Sequence, residues 1–436
     1  MTCREAVYSE DVLEYIIDNY RGEDFILTLY NPVCYMAYDE IQGVVYQQND
    51  AVDAQAVEKY GYSQIPNLYG LMSEEALEAS GVLQIRRQPY FDLYGQGVLI
   101  GFVDTGIDYT HEAFRNADGT TRIAELWDQT VVEGDGTGHF PYGRVYDRET
   151  INDALLSDIP YEIVPSTDAN GHGTFLAGVA AGGENRRAGF SGVAPLAELV
   201  IVKCKQAKRV YRDYYSVPDT AEAFQENDVM AGISYILQIA RREKKPVVVC
   251  LGIGTNMGSH NGGSNLTAFM ERYMAVQGIF MINCAGNEGN ARHHYSIRTR
   301  DDSAGIRVDR DMDGFMLQLW WVAPGSLELS VTSPGGEQVQ GIQARSRERY
   351  VHTFSPDGSR LEIFFGIAQE FTREQVVVFR FRNVRAGIWK IGVKSDYDDP
   401  KFNMWLPIRQ FLSSPVEFLQ PEPDITVCNP GTGSYS

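Results

Sequence analysis

Apolar residues fall along this chain in three rhythms. Short unbroken runs, Val98-Leu99-Ile100-Gly101-Phe102-Val103, Leu199-Val200-Ile201-Val202, Val247-Val248-Val249-Cys250-Leu251 and Ile279-Phe280-Met281-Ile282, recur between turn-forming residues. Such runs predict strands buried on both faces, as in a parallel sheet. Between them lie helical spacings. From Asp228 to Arg242 the residues Val229, Ile233, Ile236, Leu237 and Ala240 share one face, and a helix from about Asn265 to Val276 is stopped by Gly278. Runs alternating with helices predict a doubly wound parallel α/β sheet with its chemistry at the strand carboxyl ends.

After Asn290 the rhythm changes. Phe315 to Val322 ends at Pro324-Gly325, and Leu327-Glu328-Leu329-Ser330-Val331 alternates. Leu361 to Phe365, Gln375 to Phe381 and Gly387 to Val393 follow with Gly and Pro turns between. Regular short strands from about His293 to Leu412 predict an all-β sandwich or jelly roll set into the α/β unit. Ahead of the sheet, Ser9 to about Tyr60 reads as a small α+β unit. It has helices over 11–17 and 52–60 and strands over 25–30 and 43–46.

Two stretches carry candidate chemistry. The first apolar run delivers Asp104-Thr105-Gly106-Ile107-Asp108, and Asn170-Gly171-His172-Gly173-Thr174 opens a run of small, helix-compatible residues. An Asp at a strand's carboxyl end and a His at a helix start are how an α/β fold places an Asp–His pair in a crevice. An aspartic protease also uses Asp-Thr-Gly but needs two such aspartates; this chain has only the one at Asp104.

Bulk properties narrow the classes. A length of 436 residues implies two or three domains, and 38 basic against 58 acidic residues, net −20, argues against nucleic acid or an anionic membrane as partner. No apolar run approaches a membrane span, and Met1-Thr2-Cys3-Arg4-Glu5 does not start a secretory signal. Cys3, Cys34, Cys204, Cys250, Cys284 and Cys428 lie far apart without CxxC pairs. That spacing predicts a reduced, intracellular protein. No cofactor and no metal are expected: in Asp309-Arg310-Asp311-Met312-Asp313-Gly314 the twelfth position of a calcium loop would be Trp320, so the stretch reads as a turn.

The Asp104 and His172 motifs, with Gly192-Val193-Ala194-Pro195 before a strand and Ala285-Gly286-Asn287-Glu288-Gly289 after another, resemble the subtilisin-like serine proteases in kind and order. The resemblance implies that Asp104 orients His172, that His172 is general base and acid, and that Asn287 supplies a side-chain donor to the oxyanion hole. It implies that Leu251, Gly252 and Gly254 line the edge that pairs with the backbone of a protein or peptide substrate. It also implies that the N-terminal unit is a prodomain whose tail lies in the cleft. An all-β insertion at this point is similar to the Csp germination subtilisins of clostridia, which activate a cortex-degrading hydrolase in spores by cleaving its pro-segment. That group includes pseudoproteases, so a non-catalytic regulatory protein is the alternative function.

The family's nucleophile follows its last core strands in a Gly-Thr-Ser motif. This sequence ends at Ser436 without one, and Ser434 in Gly431-Thr432-Gly433-Ser434 has no helix after it. The expectation is a serine endopeptidase fold lacking its nucleophile and inactive alone. The expected organisation is a prodomain-like unit over 1–70, a catalytic core over 71–292, an inserted sandwich over 293–415 and a return to the core over 416–436. Localisation is expected to be cytoplasmic or spore-associated.

Overall fold

A computed structural model describes residues 1–48, 52, 59–71, 93–185, 190–258, 260, 262–322, 326–344, 348–367, 374–397 and 400–422. The predicted helix over 52–60, apart from residues 52, 59 and 60, and the whole stretch from Ile425 to Ser436 lie outside these residues.

The N-terminal unit contains helix α1 (Cys3–Tyr8), strand β1 (Val12–Asp18), helix α2 (Glu23–Tyr30), and strands β2 (Cys34–Ala37) and β3 (Gln42–Gln48), with β3 central and antiparallel to both neighbours. Two expectations are reversed. Residues 11–17 fall on a strand because Val12, Leu13, Tyr15, Ile16 and Ile17 are buried on both faces, and an unbroken apolar run mimics helical spacing. Residues 25–30 are helical: Glu23 and Asp24 complement the helix dipole in the first turn, and Asn31 ends it in the left-handed conformation at φ 45°. The fully reduced reading is also corrected. Cys3 and Cys34 form a disulfide with Cα atoms 5.2 Å apart, tying α1 to β2, whereas Cys204, Cys250 and Cys284 are in no disulfide. Spacing along the chain cannot say which distant cysteines meet.

Next come β4 (Leu68–Leu71), β5 (Leu99–Asp104), β6 (Ile123–Asp128), β7 (Arg144–Asp147), helix α3 (His172–Ala181), β8 (Glu198–Lys203), helix α4 (Arg209–Tyr215), β9 (Phe224–Gln225), helix α5 (Glu226–Glu243), β10 (Val247–Leu251), β11 (Ile253–Gly254), helix α6 (Asn265–Met274) and β12 (Ile279–Asn283). Six strands form one sheet in the order β12-β10-β5-β8-β6-β7, parallel except for β7 at the edge. Successive residues of β5 point to opposite faces. Leu99 and Val103 pack with Val229, Ile233 and Ile236 of α5, whereas Ile100 and Phe102 pack with Leu176, Ala177 and Ala181 of α3. The sheet is therefore covered on both sides, and Asp104 emerges at the end of a buried strand.

Among the described residues eleven strands follow: β13 (His294–Ile297), β14 (Asp301–Val308), β15 (Met312–Val322), β16 (Leu327–Thr332), β17 (Gln338–Gln343), β18 (Arg349–Thr353), β19 (Arg360–Ile367), β20 (Glu374–Val384), β21 (Gly387–Ser395), β22 (Phe402–Trp405) and β23 (Val416–Phe418). They make two antiparallel sheets, β13-β22-β15-β20-β19-β18 and β17-β16-β21-β14-β23, around a core containing Phe315, Leu317, Phe379, Phe381, Trp389 and Ile391. The opposite side of the larger sheet packs on the rest of the chain: Met316, Trp320, Phe364 and Trp405 share a cluster with Tyr211, Tyr214, Tyr215 and Leu68.

A buried ion pair joins the N-terminal unit to the α/β unit. Lys208 Nζ lies 2.6 Å from Glu14 Oε1, and it donates to the carbonyls of Ala6 (3.0 Å) and Val12 (2.9 Å). Lys205 pairs with Asp228 at 2.7 Å nearby. Burial pushes the Glu14 carboxyl up, against the pull of Lys208.

Candidate active site

Asp104 is the last residue of β5 and 1% exposed; His172 is the first residue of α3. They meet: His172 Nδ1 lies 2.8 Å from Asp104 Oδ1. The same oxygen accepts from the Thr105 amide at 2.8 Å and the Thr105 hydroxyl at 3.2 Å, so the carboxylate is fixed before the imidazole reaches it. Glycine is needed at position 173, where a Cβ would stand 2.2 Å from Gly106 O and 3.2 Å from Asp104 Oδ1. Any side chain there would drive the helix start away from the aspartate.

Asp168 holds the imidazole's helix at its N-terminus. It accepts from the amides of Gly171 (2.9 Å) and Thr174 (2.8 Å) and from the Thr174 hydroxyl (2.6 Å). Burial pushes this carboxyl up, but the hydrogen bonds from Thr174 and Gly171 win and hold it below the usual carboxylate range. Thr174 Oγ1 in turn accepts from Asp108 N at 2.9 Å, joining the helix to the loop after β5.

A groove opens beside the pair. A Cβ on Gly252 would lie 2.0 Å from Leu176 Cδ1 and 3.2 Å from His172 Cε1, so Gly252 lies against the imidazole. Beyond it, β11 is the outer strand of a second, three-stranded sheet, β11-β4-β9. Its middle strand is extended chain gripped from both sides. Gly70 and Leu71 pair with Gly254 and Ile253, and Leu68 and Tyr69 pair with Gln225 and Phe224, all antiparallel. Of the three expected edge residues, Gly252 lies against His172 and Gly254 pairs with Gly70. Leu251 has its side chain buried in the parallel sheet, and its carbonyl accepts from Cys284 N at 3.1 Å.

Asn287 follows β12 at the same end of the sheet and is exposed. Its neighbour Glu288 is buried. Glu288 Oε2 lies 3.0 Å from His293 Nδ1 and accepts from Arg409 N at 3.3 Å, and the Arg409 side chain bonds Asn290. Among the described residues, no cluster of His, Cys, Asp and Glu is arranged to hold a metal ion.

An Asp–His pair at the carboxyl ends of a parallel sheet, beside a strand-binding groove, carries a family match: residues 95–309 correspond to the Subtilase family (Peptidase S8). Residues 95–309 are thus a subtilase-family domain. Among curated proteins, the chain is 26% identical over 218 residues to Subtilisin-like protease SBT2.2 of Arabidopsis thaliana, covering 46% of this chain and 23% of that protein. It is 30% identical over 217 residues to Subtilisin-like protease SBT2.1 of the same plant, covering 45% and 24%. The aligned part spans about a quarter of the length of these relatives. In structure it is similar to the Clostridium perfringens CspB protease, with a TM-score of 0.67, 28% identity, and coverage of 79% of this chain and 69% of that one.

The subtilase site contains residues that sequence reasoning passed over. Asp168 and Thr105 were open to recognition as side chains that cap turns beside His172 and Asp104. The strand at 68–71 gave no signal, because what makes it a strand is the groove around it.

Proposed function

We propose that this subtilase is a serine endopeptidase in which Asp104 and His172 form the proton-transfer part of the machinery. The observation that carries the reading is the 2.8 Å contact between His172 Nδ1 and Asp104 Oδ1 beside a groove that takes extended chain. With a proton on Nδ1 shared with Asp104, Nε2 is the basic nitrogen; it takes the proton of a serine hydroxyl as that oxygen attacks the scissile carbonyl, then returns it to the leaving amine. Asn287 is assigned the oxyanion that forms between these steps.

Met1–Ser436 contains no Gly-Thr-Ser motif, so none of its serines is assigned as the nucleophile. The N-terminal unit is read as the prodomain, with β4 as its tail in the cleft, and residues 293–415 as an inserted jelly roll. The non-catalytic alternative is not favoured, since Asp104 and His172 remain in hydrogen-bond contact. Activation of a partner hydrolase by removal of its pro-segment is the role that the Csp resemblance suggests.

A fluorophosphonate probe tests the reading. Polypeptide that extends through a Gly-Thr-Ser is expected to label at that serine and to lose labelling in His172→Ala, while Met1–Ser436 stays unlabelled. Labelling within Met1–Ser436, or labelling indifferent to His172, overturns it.

A further inference from the structure

The middle strand of the groove shows what the groove selects, because two of its side chains meet surroundings of opposite chemistry. Leu68 and Tyr69 are consecutive on an extended strand, so they point to opposite faces, and both are buried. Leu68 packs in a buried apolar cluster with Tyr215, Val217, Met257, Met316 and Phe411, and with them and Pro407 it lines a small apolar pocket. Met316, Pro407 and Phe411 come from the two-sheet unit, so the pocket is closed by both halves of the molecule. The Tyr215 hydroxyl also donates to Pro66 O at 3.3 Å, fixing the strand just before Leu68.

Tyr69 meets a carboxylate. Its hydroxyl donates to Glu226 Oε1 at 3.3 Å, and Glu226, the first residue of α5, is fully buried. Glu226 Oε2 accepts from the Asn67 amide at 3.2 Å and from Asn67 Nδ2 at 3.3 Å, and Oε1 accepts from Leu266 N at 3.0 Å. Three of these four donors belong to the strand lying in the groove, and only Leu266 belongs to the surrounding wall. A buried carboxylate stripped of most of its donors is strongly disfavoured, so whatever occupies the groove is under pressure to bring donors of its own.

We propose that the groove is specific for extended peptides carrying an aliphatic residue followed by a tyrosine, the first read by the pocket shared with the two-sheet unit and the tyrosyl hydroxyl read by Glu226. This rests on the reading of the groove as the substrate cleft. Because Leu71 pairs with Ile253 and Gly252 lies against His172, a peptide in this register runs towards the imidazole with its C-terminal side. The Leu-Tyr pair therefore sits N-terminal to the bond attacked.

The test uses the full chain with Leu68→Ala and Tyr69→Ala, so that the tethered segment leaves both pockets unfilled. A fluorescein-labelled peptide copying Ile65 to Leu71 is titrated in, and anisotropy is read. The peptide with tyrosine is expected to bind about tenfold more tightly than its phenylalanine version, the low end for a bond to a charged group at this distance. That margin is expected to shrink when Glu226→Gln is added. Replacing the peptide's leucine by alanine is expected to weaken binding, and less so when Phe411→Ala has already opened the pocket. Comparing peptides on one protein changes only the ligand, so a difference between them is not a difference in folding. Equal binding of the tyrosine and phenylalanine peptides overturns the specificity and leaves the groove reading standing. Failure of every peptide to bind, to a variant whose circular dichroism and cooperative unfolding match the parent's, overturns the groove reading itself.

Discussion

Lys208→Met is the substitution whose effect is best bounded by the structure. The change keeps most of the side chain's volume and removes the charge, leaving Glu14 fully buried without its 2.6 Å partner. The carboxylate's escape is to take up a proton. At about 1.4 kcal/mol per pH unit, from an ordinary glutamate value near 4.3, neutralisation at pH 7 costs about 4 kcal/mol. That falls within the roughly 3–5 kcal/mol seen when one partner of a buried ion pair is removed. At pH 5 the same step costs only about 1 kcal/mol, so the penalty shrinks on acidification. The assay is urea unfolding of parent and variant at pH 7 and pH 5, with the double variant Glu14→Leu/Lys208→Met alongside. The double variant is expected within about 1 kcal/mol of the parent, because a buried ion pair and an apolar pair of similar volume are often near-equivalent. A Lys208→Met penalty under about 1 kcal/mol at pH 7, or one that is equal at both pH values, refutes the reasoning.

Two further substitutions probe the site. Gly252→Ala drives a methyl against Leu176 Cδ1 and towards His172 Cε1, and is expected to lower stability by about 1–3 kcal/mol and to displace the imidazole. Thermal unfolding and the His172 NMR resonances report these two effects, and an unchanged melting temperature speaks against the close approach. Asp168→Asn weakens the cap of α3 and is expected to lose about 1 kcal/mol at pH 7. Its folded value lies below the unfolded one, so the aspartate's contribution is full above the ordinary value near 3.9 and disappears as pH falls through the folded value. Parent and variant stabilities should converge in acid; a constant gap between pH 7 and pH 3 excludes this account.

The sheet and the Asp–His pair were legible because each rests on a local pattern. Val247 to Leu251 could only be a buried strand, and an Asp closing one apolar run with a His between glycines needs no distant partner to be noticed. What was illegible depends on where the chain folds back. Residues 11–17 read as helix because burial on both faces removes the alternation that marks a strand, and Gly22 and Asn31 were not weighed as helix punctuation around 23–30. A motif fixes the neighbourhood of Leu251 and not its face: its side chain enters the core, and the chain leaves the parallel sheet just after it. Cys3 with Cys34, Glu14 with Lys208, and Tyr69 with Glu226 are meetings across 31 to 194 positions that no local spacing announces.

The grip on Glu288 bears on how this molecule could be trimmed. His293 and Arg409 hold it from the two flanks of the β-stranded unit, so the turn bearing Asn287 is moored on both banks of an excursion more than a hundred residues long. Splicing that excursion out with a tight linker would strand an acidic side chain in a dry setting and slacken the neighbouring amide. The appendage is therefore structural masonry for the turn beneath it, and a minimal version of this protein has to keep it.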